Sequence, residues 1–223
     1  MKFLILNGSL TPPKESNTQK VIDSVRAEFD RYQVETTEIV LRDLTFEPGI
    51  DITTRAGDAD DMTAVMKQIV LHDGLIMATP IWWGTYSCYI QAAMERIGYF
   101  DDWGIKNNVQ PMYGKTFGCL ISGSDDGWQQ TYGQLFHFAS YLGFTTPPDA
   151  FVSAVKGGDE DSASQKEFEE LVRIFVRNQV SWTEAMIQTQ VGKIAQTRGG
   201  YRTGYTSSNS FKNGMIGARS KKQ

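Results

Sequence analysis

Cysteine and histidine are scarce in this chain of 223 residues. The two cysteines, Cys88 and Cys119, form no Cys-x-x-Cys spacing. That excludes, within one chain, a disulfide framework and a thiolate-held zinc or iron-sulfur site, and it fits a reducing, cytoplasmic setting. Both thiols are expected to be buried packing residues. The two histidines, His72 and His137, belong to no metal spacing and no nucleophile constellation, so each is expected at the surface or in packing. Long hydrophobic runs are missing too. A membrane helix needs about 20 apolar residues, and the most continuous candidate, GLIMATPIWW, is broken by Thr79 and Pro80. The first ten residues, MKFLILNGSL, carry one lysine and a short apolar run, too little for the hydrophobic region of a signal peptide, and read as a strand. What is present is 40% apolar, 12% aromatic and 22% charged, enough for a substantial core. Global disorder, collagen-like repeats and coiled coil are ruled out.

Acidic residues vanish from the last 35 positions, which hold seven bases (Lys193, Arg198, Arg202, Lys212, Arg219, Lys221 and Lys222). The formal charge of -4 therefore splits into a body, residues 1–188, of -11 and an arm, residues 189–223, of +7. The arm is rich in Gly, Ser, Thr and Asn and has no hydrophobic periodicity, the composition of a flexible tail. Seven dispersed bases are a weak footprint for nucleic acid, so a solvated or self-docked tail is the expectation.

Through the body, short apolar runs alternate with amphipathic segments. The expected strands are Lys2 to Asn7, Val34 to Val40, Gly74 to Ala78, Thr116 to Ser122 and Ala150 to Val155. The second is the most polar and suits an edge. Helical spacing links Val21, Ile22, Val25 and Phe29; Met62, Val65, Met66, Ile69 and Val70; Ile90, Ala93, Met94 and Ile97; Leu135, Phe138, Ala139 and Leu142; and Phe168, Leu171, Val172 and Phe175. Five strands and five helices in alternation predict an α/β fold, a three-layer doubly wound sandwich around a parallel five-stranded sheet in the flavodoxin-like order 2-1-3-4-5. Ligands of such sheets sit beyond the carboxyl ends of the strands, which directs attention to the loops after strands one, three and four.

The first loop, Gly8 to Thr18, is rich in hydroxyls and ends at a helix start, where N-H groups and the dipole favour an anion. Ser9, Ser16, Asn17 and Thr18 add neutral donors. It is neither a Walker A loop nor a G-x-G-x-x-G fingerprint. Phosphate binding and plain capping by Ser16 or Asn17 both remain open from the residues alone. The second loop, Thr79 to Ser87, sets Trp82 and Trp83 side by side. Neighbours in extended chain point opposite ways, so at least one indole is expected near the surface, against a flat ligand or a subunit. The third, Ser122-Gly123-Ser124-Asp125-Asp126-Gly127-Trp128, lets backbone approach a ligand, though it is also ordinary turn composition. Asp60 and Asp61 precede a helix, where capping suffices to explain them.

Gly8-Ser9 with Ser16-Asn17-Thr18, Asp60-Asp61-Met62, Ala78-Thr79-Pro80-Ile81-Trp82-Trp83-Gly84 and Met94-Glu95-Arg96 together resemble the flavodoxin-like NAD(P)H-dependent FMN reductases, in the branch of iron-sulfur flavoproteins and quinone reductases. The resemblance spans residues 1 to about 150. It implies that Ser9, Ser16, Asn17 and Thr18 form the FMN phosphate loop. It also implies that Pro80, Ile81, Trp82, Trp83 and Gly84 lie beside the isoalloxazine, and that Ser122, Gly123, Ser124 and Gly127 flank its other side. The cysteine cluster of the iron-sulfur members is absent from Phe46 to Asp61, which sets aside a relay through such a cluster. The resemblance further implies hydride transfer from NADH or NADPH through FMN to a quinone or free flavin, in a homodimer or homotetramer, with no catalytic acid-base pair because the flavin carries the chemistry. The competing reading is a noncatalytic FMN module for electron transfer or redox sensing.

Overall fold

The computed structural model describes residues 1–49, 60–107, 112–123, 127–155 and 162–191. Its strands are β1 (Lys2–Asn7), β2 (Glu35–Val40), β3 (Gly74–Pro80), β4 (Thr116–Gly123) and β5 (Phe151–Val155). Its helices are α1 (Asn17–Arg31), α2 (Met62–Leu71), α3 (Cys88–Ile97), α4 (Tyr99–Asn107), α5 (Trp128–Leu142) and α6 (Ser162–Thr189). All strand pairs are parallel, in the order β2-β1-β3-β4-β5. This is the flavodoxin-like doubly wound sheet that the alternation predicts.

The run Phe3-Leu4-Ile5-Leu6 is apolar at every position because β1 is covered on both faces. Phe3 and Ile5 pack into the layer of α1 and α6, whereas Leu4 and Leu6 enter the layer of α2, α3, α4 and α5. Each of these side chains is fully buried, a contribution of about 1.5–3 kcal/mol apiece. Strand β2 is the polar edge, as expected, with no fully buried residue. The register sets Asn7 opposite both Val40 and Ala78, so β1, β2 and β3 reach one level just where Gly8 opens the first loop.

Three expectations change. Helix α4 has no clear apolar stripe in YFDDWGIKN, and it is held by burial of Phe100 and Trp103. Helix α6 is 28 residues long, far beyond the periodic segment around Phe168 to Phe175, because its polar residues Gln179 and Thr183 are also buried against β4. Gln179 Nε2 donates to the Phe117 carbonyl and Thr183 shares a hydroxyl bond with Thr116. Cys88 is exposed rather than buried, because it is the first residue of α3 and points away from the sheet. Cys119 is buried as expected, and that burial pushes its thiol pKa up. Of the basic arm, residues 192–223 lie outside the described residues.

Candidate functional site at the carboxyl edge of the sheet

The Gly8 to Thr18 loop leaves β1 and returns as α1. Ser16 has extended backbone and caps α1 by accepting from Gln19 N at 3.1 Å. Its hydroxyl also meets Ser9 Oγ at 2.6 Å, and Ser9 Oγ reaches the Thr11 carbonyl at 3.0 Å. Both serines are 2% exposed, so the loop is closed upon itself. Thr18 is buried with its Oγ1 2.8 Å from Ser122 Oγ on β4, while Asn17 is exposed. The open first turn of α1 therefore combines backbone N-H groups, a positive dipole end and neutral hydroxyls, a donor set suited to an anion. Gly8 is required for packing: a Cβ there would fall 2.4 Å from Ile90.

The second loop is a turn, which is why the alternation argument for its tryptophans does not apply. Trp82 N donates to the Thr85 carbonyl and Thr85 N to that of Trp82, at 2.8 and 3.1 Å. Trp83 and Gly84 both have positive φ, 51° and 74°, the backbone of a two-residue type I′ turn. Both indoles face solvent, Trp82 at 51% and Trp83 at 98% exposure. An indole wholly in water on left-handed backbone is costly twice over and gains nothing inside the fold.

Beyond β4, Gly123 lies against Ile81, and Ile81 N donates to the Ser122 carbonyl at 2.7 Å. Gly127 has φ +90°, and a Cβ there would sit 2.6 Å from the backbone of Gly84, so the second and third loops touch main chain to main chain. Ser124 lies outside the described residues. Trp128 stacks on Phe151 with ring centroids 5.6 Å apart, and Trp103 is buried. The structure thus brings Ser9, Ser16, Thr18, Ile81, Gly84, Ser122, Gly123 and Gly127 into one connected edge, with Trp82 and Trp83 exposed upon it.

Three further residues fasten this edge. Ser87 caps α3 and donates to the Gly8 carbonyl at 2.7 Å. Thr79 Oγ1 accepts from Ser87 N at 2.9 Å, and Gln134 on α5 accepts from Thr85 Oγ1 at 3.0 Å. The signal available for Ser87 was a serine immediately before a helix. Asp60 and Arg96, from two of the resembling motifs, form an ion pair at 2.5 Å, with Arg96 also donating to the Glu47 carbonyl. Asp60 accepts from Met62 N as well, and Asp61 accepts from Thr45 N. These acids therefore staple the start of α2 to α3 and to the preceding segment. A groove of about 700 Å³ runs from Tyr86 and Gln134 down α5 to Tyr141, with Asp101 and Asp102 on its α4 side. Burial, then Glu95, push the Tyr86 phenol pKa up. Among the described residues no group of three or more His, Cys, Asp or Glu could hold a metal ion, and no helix is long and apolar enough to cross a membrane.

The 8-demethyl-8-aminoriboflavin-5'-phosphate synthase of Streptomyces davaonensis is 27% identical over 158 residues, 67% of this chain and 62% of that protein. A divalent metal cation transporter of Mycobacterium bovis is 26% identical over 153 residues, 67% of this chain but 22% of its own length. The chain spans less than two thirds of either curated relative. In three dimensions it resembles RosB with bound 8-demethyl-8-formylriboflavin-5'-phosphate, at a TM-score of 0.69 and 20% identity over 93% of this chain and 91% of that one. Residues 1–159 match the NADPH-dependent FMN reductase family, so the chain belongs to that family of flavodoxin-like oxidoreductases, whose cofactor is FMN and whose donor is a nicotinamide nucleotide.

Proposed function

We propose that this chain oxidises NADH or NADPH and reduces a small planar acceptor, a quinone or a free flavin, with FMN held at the carboxyl edge of the sheet. The observation that carries this reading is the meeting of three loops at one edge through the Thr18-Ser122, Ile81-Ser122 and Gly84-Gly127 contacts. The residues fit the cofactor by the chemistry of their donors. A phosphate suits the first turn of α1, where Ser9, Ser16, Asn17 and Thr18 gather, because main-chain N-H groups and hydroxyls stabilise an anion without a fixed counter-charge. Pro80 to Gly84 on one side, and Gly123, Ser124 and Gly127 on the other, would hold the ring, with the Ser122 hydroxyl beside them turned to Thr18. When bound, FMN supplies the hydride chemistry.

The chain's own residues supply position and access. Trp82 and Trp83 offer aromatic faces to a planar acceptor, and their exposure supports an open site that admits two substrates in turn. We further propose a homodimer or homotetramer in a reducing cytoplasm. Support comes from α5, which has no Asp, Glu, Lys or Arg in WQQTYGQLFHFASYL although Gln130, Gly133, Gln134, His137 and Tyr141 are exposed. Charge depletion on an exposed face is a property of interfaces. The catalytic body of residues 1–188 and the separate basic arm from 189 remain part of this proposal.

The test is steady-state oxidation of NADH and NADPH with benzoquinone or free FMN as acceptor. An FMN-bound chain that supports no nucleotide-dependent turnover would overturn the enzyme reading in favour of an electron-transfer or sensing module. A colourless protein that never quenches FMN fluorescence would remove the site. A second reading, in which the flavin is itself the molecule transformed, draws on the 27% identity with the aminoriboflavin phosphate synthase. Mass spectrometry of the flavin recovered after turnover separates the two, since a resident cofactor returns unchanged.

A further inference from the structure

We propose that Ser122, which comes from the strand beside the ring end of the site, is a positioning residue for the phosphate end and acts through Thr18. This rests on FMN binding at the edge described above. Ser122 Oγ lies 2.8 Å from Thr18 Oγ1, across 104 residues of sequence. Both side chains are sealed, at 3% and 1% exposure. The Ser122 hydroxyl is therefore committed to α1, while its carbonyl takes the Ile81 N-H at 2.7 Å. One residue of β4 thus grips the first turn of α1 with its side chain and the tryptophan loop with its main chain.

Hydroxyl accounting shows why this grip matters. On the loop side, Ser9 Oγ reaches the Thr11 carbonyl, Ser9 and Ser16 share a hydroxyl bond, and Ser16 accepts from Gln19 N. Those hydroxyls hold the loop in shape. On the sheet side, the described hydrogen bonds give the Thr18 hydroxyl Ser122 and no second partner. The aim of the first-turn N-H groups is thereby set by two hydroxyl pairs, one from each side. Losing Ser122 Oγ leaves the Thr18 hydroxyl buried without its partner, a penalty relieved by moving the first turn. Hydrogen bonds to an anion are short and directional, so such a shift weakens phosphate binding and spares ring binding.

FMN and riboflavin differ only by the phosphate, so they report the two ends of the site separately. Each is titrated into the full-length apoprotein by flavin fluorescence quenching, with thermal unfolding of the same samples confirming the fold. Ser122→Ala and Thr18→Val are each expected to weaken FMN about tenfold and to leave riboflavin within about twofold. The double variant is expected to lose no more than either single, since the two act as one unit, and Thr18→Ser keeps affinity by restoring the hydroxyl. Equal losses for both flavins would make Ser122 a ring contact and overturn the inference, as would additive losses or no loss. A wild-type chain that binds neither flavin would instead overturn the site itself.

Discussion

Replacing Gly127 by alanine tests the contact on which the proposed site depends. Gly127 starts α5 in left-handed backbone, and a Cβ there would fall 2.6 Å from the Cα and carbonyl oxygen of Gly84 and 2.7 Å from its carbonyl carbon. All three are main-chain atoms, so no side chain can swing aside. The left-handed conformation costs an alanine about 1–2 kcal/mol, and forcing main chain apart costs about 1–3 kcal/mol. Together these come to about 2–5 kcal/mol, and the midpoint of about 3.5 kcal/mol corresponds to a fall in Tm of roughly 7–14 °C for a domain of this size. Gly133 is the internal control, because it is exposed on α5 with nothing within 4 Å of its Cβ position. Gly133→Ala should stabilise by up to about 1 kcal/mol through helix propensity alone. Differential scanning calorimetry of the apoproteins reads both. FMN titration then shows whether the displaced loops still bind, with Gly127→Ala expected to weaken affinity and Gly133→Ala to preserve it. If Gly127→Ala melts and binds like the parent, the two loops do not meet as described and the case for a single joined site fails.

Other outcomes follow from the same geometry. Trp83→Gly should raise stability by about 1 kcal/mol, because it relieves an L-residue at φ 51° and removes a side chain that is 98% exposed, while turnover with a planar acceptor falls; lower urea resistance would refute the turn assignment. Arg96→Met strands the Asp60 carboxylate, 6% exposed, and should cost about 3–5 kcal/mol in urea unfolding, with Asp60→Leu in the same chain recovering part of it. His72 is buried with Nδ1 2.7 Å from the Gln68 carbonyl and Nε2 3.1 Å from Thr37 Oγ1. Its pKa lies below the ordinary 6.5 because of burial first, with Lys2 and Lys115 adding and the Gln68 carbonyl and Glu35 opposing. The unfolded chain therefore takes up that proton first. Stability is complete above 6.5 and declines as pH falls through 6.5 toward the folded value. His72→Gln should flatten the urea midpoint between about pH 7 and pH 5 relative to the parent, and identical pH slopes would count against the burial argument.

How far the sequence carried depended on how local the cause was. The strand order was legible because β1, β3 and β4 are apolar on both faces while ETTEIV is not, and that contrast puts β2 at an edge. A cap of α1 at Ser16 or Asn17 was legible for a similarly local reason, and the structure gives it to Ser16. The tryptophan turn was misread in geometry because Trp83 holds a backbone conformation usually left to Gly or Asn. Gly84 beside it was the only hint. Asp60 looked like a helix cap, and its pairing with Arg96 was hidden because 36 residues separate them. The same holds for Thr18 with Ser122. Both residues were picked for a ligand, and their mutual bond could only be found once the fold had brought α1 over β4. The length of α6 was hidden by chemistry, since Gln179 and Thr183 are polar by composition yet buried by position.

The double duty of Ser87 has a consequence for how flavin could enter and leave. Its hydroxyl caps α3 and at the same time holds the Gly8 carbonyl, just as Ser16 caps α1 and holds Ser9. The mouth of the proposed site is therefore not a flap hung on a hinge. Opening it uncaps two helices at once, which makes the loop part of the same cooperative unit as the helices that begin there. Amide hydrogen exchange at Ser9, Gln19 and Ile90 should accordingly share one opening free energy, and release of the cofactor should proceed at the rate of that sub-global opening rather than at the faster rate of a loop.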